Sequence, residues 1–132
     1  MRVMNNSGLS LVEIMVAITI MVIIATIVGI NVWPLVSKAG AKTARIQIAK
    51  FEQVLDLYQL DNRGSFPTTE EGLDAVTPYL KSKKIPKDPW GRPYIYELRE
   101  EEGVQKPFIM SYGADKRPGG IESNKDITNE DE

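Results

Sequence analysis

The chain has 132 residues, no cysteine, no histidine and a formal net charge of −2. Without thiols or imidazoles it cannot form a disulfide staple, a thiolate metal site, a conventional hydrolase triad or a zinc centre. So small a net charge gives no reason to expect nucleic acid as a partner, and the length leaves roughly 100 residues beyond an apolar N-terminal segment for one small domain.

The first predicted element is an apolar helix. Met1 to Gly8 is short and polar with one positive charge, Arg2, and from Ile14 to Trp33 there is no charge at all. About twenty residues at 1.5 Å rise span roughly 30 Å, the thickness of a bilayer's hydrocarbon core. Glu13 heads this run, with Arg2 and Lys38 as the nearest other charges. A carboxylate in hydrocarbon costs several kcal/mol unless it is paired, so Glu13 is a functional candidate by default. A secretory signal peptide carries its small-residue cleavage site after the apolar core. Here Gly8 precedes the run, and cleavage there would keep the helix on the mature chain. The bland alternative is a signal anchor whose Glu13 snorkels to the interface. Counting Lys38, Lys42 and Arg45 against Arg2 would place the side after Val36 in the cytoplasm.

Helical pattern continues past the apolar run. Ala44, Ile48, Phe51, Leu55 and Tyr58 recur at spacings of four and three, one face of an amphipathic helix. Asp61-Asn62-Arg63-Gly64 supplies a stop. The expected object is one helix of about fifty residues, roughly 75 Å long, with Gly29, Asn31 and Pro34 as its weak points. Thr68-x-x-Glu71 then reads as a capping box opening a short helix through Val76, and Thr77-Pro78 as the start of another turn. The Lys81–Lys84 run reads as a solvated face. Tyr94–Leu98 and Phe108–Tyr112 are rich in strand formers, with Glu100 to Pro107 as their connection. Their aromatic residues are expected to pack a small antiparallel sheet against the amphipathic helix.

The stretch Tyr112–Asp126 is rich in glycine, carboxylates and amides and poor in apolar residues, so burial cannot organise it. It is either disordered or held by something else. Calcium takes six to eight oxygens from carboxylates, backbone carbonyls and water. Asp115, Glu122, Asn124 and Asp126 supply side-chain oxygens here, though not with EF-hand spacing.

Two sets of residues carry a resemblance. Gly8-Leu9-Ser10-Leu11-Val12-Glu13 followed at once by the apolar run resembles the leader of type IV pilins and pseudopilins. Pro67-Thr68-Thr69-Glu70-Glu71-Gly72-Leu73 and Lys87-Asp88-Pro89-Trp90-Gly91-Arg92-Pro93-Tyr94 resemble the major-pseudopilin family of type II secretion systems, over nearly the entire chain. The resemblance implies an α+β, type IV pilin-like fold: a long N-terminal helix packed on a small antiparallel sheet, with a C-terminal calcium-binding loop. It implies a leader over residues 1–8, a transmembrane assembly helix over 9–36 and a periplasmic domain over 37–132. A prepilin peptidase would cut between Gly8 and Leu9 and methylate Leu9. Glu13 would neutralise the N-terminal amine of a neighbouring subunit. The N-terminus would then be cytoplasmic, against the count of basic residues.

As implied function, the subunit polymerises into a pseudopilus that drives protein export, with no turnover. Its partners would be further copies of itself, minor pseudopilins, the peptidase and the inner-membrane secretion platform. The implied calcium ligands are the side chains of Asp115 and Glu122 and the backbone carbonyls of Tyr112, Arg117 and Gly120. Ser123, Asn124 and Asp126 stand behind them, Asp126 with the alternative of hydrogen-bonding the loop. Other readings at this point are a type IV pilin, a minor pseudopilin, and a signal-anchored calcium-binding protein or carboxylate enzyme that never polymerises.

Overall fold

A computed structural model describes residues 9–121 and 124–131, apart from the side chains of Asn31 and Trp33. The elements are helix α1 (Leu11–Asp61), a 3₁₀ helix (Gly72–Tyr79), and strands β1 (Ile95–Glu101), β2 (Val104–Ser111) and β3 (Ile127–Thr128). The chain divides into two compact units, Met1–Leu35 and Val36–Glu132.

In the first unit the described apolar side chains of α1 are exposed. Leu11 is 76% exposed and Ile30 69%. This segment's mean hydropathy of 2.8 and its length qualify it to cross a membrane. The two threonines that interrupt its apolar character hydrogen-bond back along the helix. Thr19 Oγ1 donates to the Met15 carbonyl at 2.8 Å, and Thr26 Oγ1 to that of Val22 at 2.8 Å. Their hydroxyls are thereby satisfied without water.

In the second unit α1 becomes one-sided, on the predicted face. Ala44, Ile48, Phe51 and Leu55 are buried, with Val54 beside them. Tyr58, at the end of the row, is half-buried and meets Tyr79 edge-to-face at 6.0 Å between ring centroids. Fully burying one such side chain stabilises the fold by about 1.5–3 kcal/mol. The opposing layer supplies Leu73 and Val76 from the 3₁₀ helix, Tyr94, Tyr96 from β1, Ile109 from β2 and Ile127 from β3. Phe51 and Tyr94 meet edge-to-face at 5.2 Å. The Tyr94 hydroxyl pairs with Gln47 Oε1, and that of Tyr96 donates to the Pro67 carbonyl at 2.8 Å. The buried rings thus keep partners for their polar ends.

The sheet order is β1-β2-β3, all neighbours antiparallel, with Ile95 opposite Met110 and Glu101 opposite Val104. A two-residue turn, Glu102-Gly103, joins β1 to β2 with both residues at positive φ, 52° and 79°. That matches the type I′ geometry whose twist suits a hairpin.

Three local expectations change. The capping box forms: Thr68 N–H donates to Glu71 Oε2 at 2.8 Å and Glu71 N–H to Thr68 Oγ1 at 3.2 Å. It closes a turn over Thr68–Gly72, and a single 3₁₀ helix follows from Gly72 through Thr77 and Pro78, where two helical pieces were expected. The strands run longer and the connection is two residues instead of eight, because Glu100–Pro107 pair as exposed ladder positions. β3 was not anticipated; two residues are too short to show an alternating pattern.

Candidate assembly helix and candidate metal loop

Ser10 caps α1. The Glu13 N–H donates to Ser10 Oγ at 3.2 Å, and Ile14 N–H to the Ser10 carbonyl at 3.2 Å. The serine hydroxyl therefore satisfies one of the helix's free N-terminal donors. Glu13 stands in the first turn, where its negative charge meets the positive end of the helix dipole. Leu9 is exposed just before the cap. Gly8 lies outside the described residues, so the expected cleavage point has no structural description here. The arrangement puts one carboxylate at the head of an apolar, exposed helix surface. Chemically it offers a single ionic docking point and a long surface for van der Waals packing.

The second candidate lies between β2 and β3. Their register pairs Ser111 with Ile127 and Met110 with Thr128, which closes residues 112–126 into a loop. The loop turns back on itself tightly. At Gly120 (φ 99°) an added Cβ would fall 2.2 Å from the Asn124 carbonyl oxygen, so no larger residue fits that backbone. Asp115 Oδ1 accepts from the Arg117 N–H at 3.1 Å, an Asx-type turn. Asp126 Oδ2 accepts from the Gly119 N–H at 2.8 Å, tying the two arms together.

The other oxygen, Asp126 Oδ1, is buried and has no hydrogen-bond partner among the described residues. A buried, unmatched acceptor costs about 1–3 kcal/mol, and more when it is charged. A cation held by the loop would remove that cost. Among the described residues no three acidic side chains gather closely enough to hold a metal by themselves. A cation here would take much of its shell from backbone oxygens, which suits calcium and not zinc. Of the expected ligands, Tyr112 and Asp115 are half-buried and Arg117, Gly120 and Asn124 are exposed. Glu122 and Ser123 lie outside the described residues.

Several residues that hold the loop's frame escaped the sequence reading. Asp88 is buried; its Oδ2 accepts from the Ser111 hydroxyl at 2.7 Å, and its Oδ1 from the backbone N–H of Trp90 at 3.1 Å and Arg92 at 2.7 Å. One side chain thereby fixes both the Asp88–Arg92 turn and the residue at which the loop departs. The Asp-x-x-Gly spelling signals a turn, but not the contact to Ser111. At the far end, Asn129 Oδ1 accepts from the Ile109 N–H at 2.9 Å. Its Nδ2 donates to the Pro107 carbonyl at 3.0 Å and to Glu52 Oε1 at 3.1 Å. No local pattern reports such contacts. Asp131 accepts from Lys125 Nζ at 2.6 Å and from the Thr128 N–H at 3.2 Å, and these bonds, the lysine's first, hold its carboxyl below the usual carboxylate range.

Residues 31–130 match the family described as Type II secretion system (T2SS), protein G, and residues 3–29 match the Prokaryotic N-terminal methylation motif. The chain is similar to Type II secretion system core protein G of Pseudomonas aeruginosa, 36% identical with 96% of each chain covered. It is 34% identical to the protein of that name from Vibrio cholerae, covering 97% of this chain and 94% of the relative. It is also 34% identical to that of Escherichia coli K12, covering 95% and 91%.

Proposed function

The chain belongs to the type II secretion system protein G family, and from that premise we propose how its structure serves the family's role. It is a structural subunit of the pseudopilus, the major pseudopilin. Likeness along the whole chain to core protein G sets aside the pilin, minor-pseudopilin and unassembled-anchor readings.

The observation that carries the reading is the apolar half of α1, exposed on every side with one carboxylate at its head. In lipid such a surface is at rest. Once drawn out of lipid it needs cover, and packing against the same helix of other copies supplies it at about 25 cal/mol per Å². Prepilin peptidase cuts between Gly8 and Leu9 and methylates Leu9, and the α-amine so released sits one residue before the Ser10 cap. Glu13 pairs with the Leu9 amine of a neighbouring subunit. An unpaired carboxylate at that depth costs several kcal/mol, so misplaced subunits are penalised. The N-terminus faces the cytoplasm and residues 37–132 stand in the periplasm, where the inner-membrane platform and minor pseudopilins meet the growing fibre. No turnover is involved.

The C-terminal loop takes calcium, held by Asp115, Asp126 and Glu122 with the carbonyls of Tyr112, Arg117 and Gly120. The orphaned Asp126 oxygen supports this reading. Bound calcium supplies positive charge and an oxygen-binding centre to a loop with little apolar content. The chain's own part is to hold the loop mouth shut through the Ser111–Ile127 pairing, Asp88 and Asn129.

The test is expression of the full chain with prepilin peptidase and the secretion platform, followed by shearing and electron microscopy. Parent chain should give fibres and Glu13→Ala should give none at equal membrane level. Fibres of normal length from Glu13→Ala would refute the ionic docking step.

A further inference from the structure

Two surfaces of the second unit each combine an exposed apolar part with charges of opposite sign, and they lie on opposite flanks of α1. The first is a groove of about 370 Å³ between α1 and residues 79–86. Val54, Tyr79, Leu80 and Pro86 give it an apolar floor, and Lys50 and Lys81 stand on its rim. Lys83 and Lys84 follow on the same loop, and none of these four lysines has an ion-pair partner among the described residues. Exposed Ile46 (57%) and Leu57 (51%) extend the apolar strip along the helix.

The second surface is the β1–β2 hairpin tip. It presents Val104, 57% exposed, one glycine after Glu100, Glu101 and Glu102. Glu101 bonds Lys106 at 3.0 Å, whereas Glu100 and Glu102 have no ion-pair partner among the described residues. The tip is kept in shape by its I′ turn and by the full ladder behind it.

The tip cannot reach the groove of its own chain from where it sits. Glu101 shares a concavity with Glu52. At about 100° per residue, Glu52 stands roughly 200° around the helix from Lys50. Complementary patches on opposite flanks form a head-to-tail contact that does not use itself up. Such a contact propagates from copy to copy instead of closing as a dimer, and gives an open filament where its rotation does not close a ring.

We infer that the groove of Lys50, Val54, Leu80 and Lys81 receives the Glu100–Val104 hairpin tip of a second copy, as a lateral contact between outer domains. This rests on the polymer reading above. Val104 enters the apolar floor with Glu101, its ladder partner, on the same face, while Glu100 on the other face and Glu102 at the turn meet the lysine rim on either side. Because each exposed ion pair is weak, the charges select register more than they add affinity.

The chain has no cysteine, so a pair introduced into it is the only source of a disulfide. The test uses full-length Leu80→Cys/Val104→Cys, expressed with prepilin peptidase and the secretion platform, oxidised, sheared and run without reductant. A ladder of dimers, trimers and higher species is expected, since a disulfide needs Cα atoms within about 7 Å. In parallel, Lys50→Glu/Lys81→Glu and Glu100→Lys/Glu102→Lys should each cut pelletable fibre about fivefold or more, and all four changes on one chain should recover it. Fibres from the cysteine chain without a ladder would overturn the contact and leave the polymer reading standing. If that chain assembles poorly, failure of the fourfold swap to recover fibre, with normal helical circular dichroism, overturns it instead. Absence of fibres from the parent chain would sink the polymer reading, and the contact with it.

Discussion

Replacing Asn129 by alanine should unseat β3 and open the mouth of the C-terminal loop. The side chain makes three hydrogen bonds: it accepts from the Ile109 N–H at 2.9 Å and donates to Pro107 at 3.0 Å and Glu52 at 3.1 Å. Ile109 is fully buried, so water cannot replace the lost acceptor for its N–H. An orphaned buried donor costs about 1–3 kcal/mol, and a half-buried carbonyl adds a smaller amount. The sum is about 2–4 kcal/mol, a large part of the 5–15 kcal/mol typical of a domain. For a domain of this size that corresponds to a fall in Tm of roughly 10–25 °C. Asn129→Asp keeps the acceptor for the Ile109 N–H, the larger part of the loss, and so should cost less than alanine even with a second carboxylate set against Glu52. Glu52→Gln retains an acceptor for Asn129 and should cost under about 1 kcal/mol. Circular-dichroism melts of the detergent-solubilised chain, in calcium and in EGTA, measure all three. A Tm change under about 2 °C for Asn129→Ala would refute the argument.

Three further outcomes follow from other contacts. Gly40 lies where an added Cβ would stand 2.9 Å from Trp90 Cζ2; Gly40→Ala gains about 1 kcal/mol in helix propensity but loses about 1–3 to overpacking. A net loss of up to about 2 kcal/mol is expected, with shifted Trp90 emission in a Trp33→Phe background, and a gain of about 1 would show that the indole yields freely. Burial, the larger cause in both, raises the Tyr94 phenol and pushes that of Tyr96 up to about 12 from the ordinary 10.0. In this window the unfolded chain releases protons that the fold retains, so the contribution to stability is full below about pH 10 and is lost as pH rises towards 12; melts that hold steady to pH 12 would contradict this. Asp126→Asn should abolish most of the rise in Tm given by calcium, yet match or exceed the parent in EGTA, because the charged, unmatched oxygen is gone. An undiminished calcium response would remove Asp126 from the ligand set.

What could be read from sequence was whatever a local rule encodes. The row Ala44–Ile48–Phe51–Leu55 has helical period, and the period alone identifies the buried face. The capping box, the helix stop and the apolar span are likewise local. The failures are all non-local. The 3₁₀ helix runs through Thr77-Pro78, and residues on both sides of that pair pack on the core: Leu73 and Val76 before it, Tyr79 and Leu80 after it. Glu100 to Pro107 read as a connection because both faces of the hairpin end, residues 100–106, are exposed, which erases the period-two pattern. β3 and Asn129 are defined by partners 16 to 77 residues away. In the loop, residue types suggested an oxygen-binding site, but not which oxygen is left without a partner. That turned out to be on Asp126, which stood behind Asp115 and Glu122 in the sequence reading.

The central claim is that the apolar half of α1 enters a fibre with Leu9 as its first residue. Its most direct test is the intact mass of the membrane-extracted protein, produced beside an active prepilin peptidase. The account predicts the mass of a chain beginning at Leu9 and carrying one added methyl group. A mass that retains Met1 to Gly8 despite the peptidase would contradict it, leaving a membrane anchor that carries an acidic-loop domain.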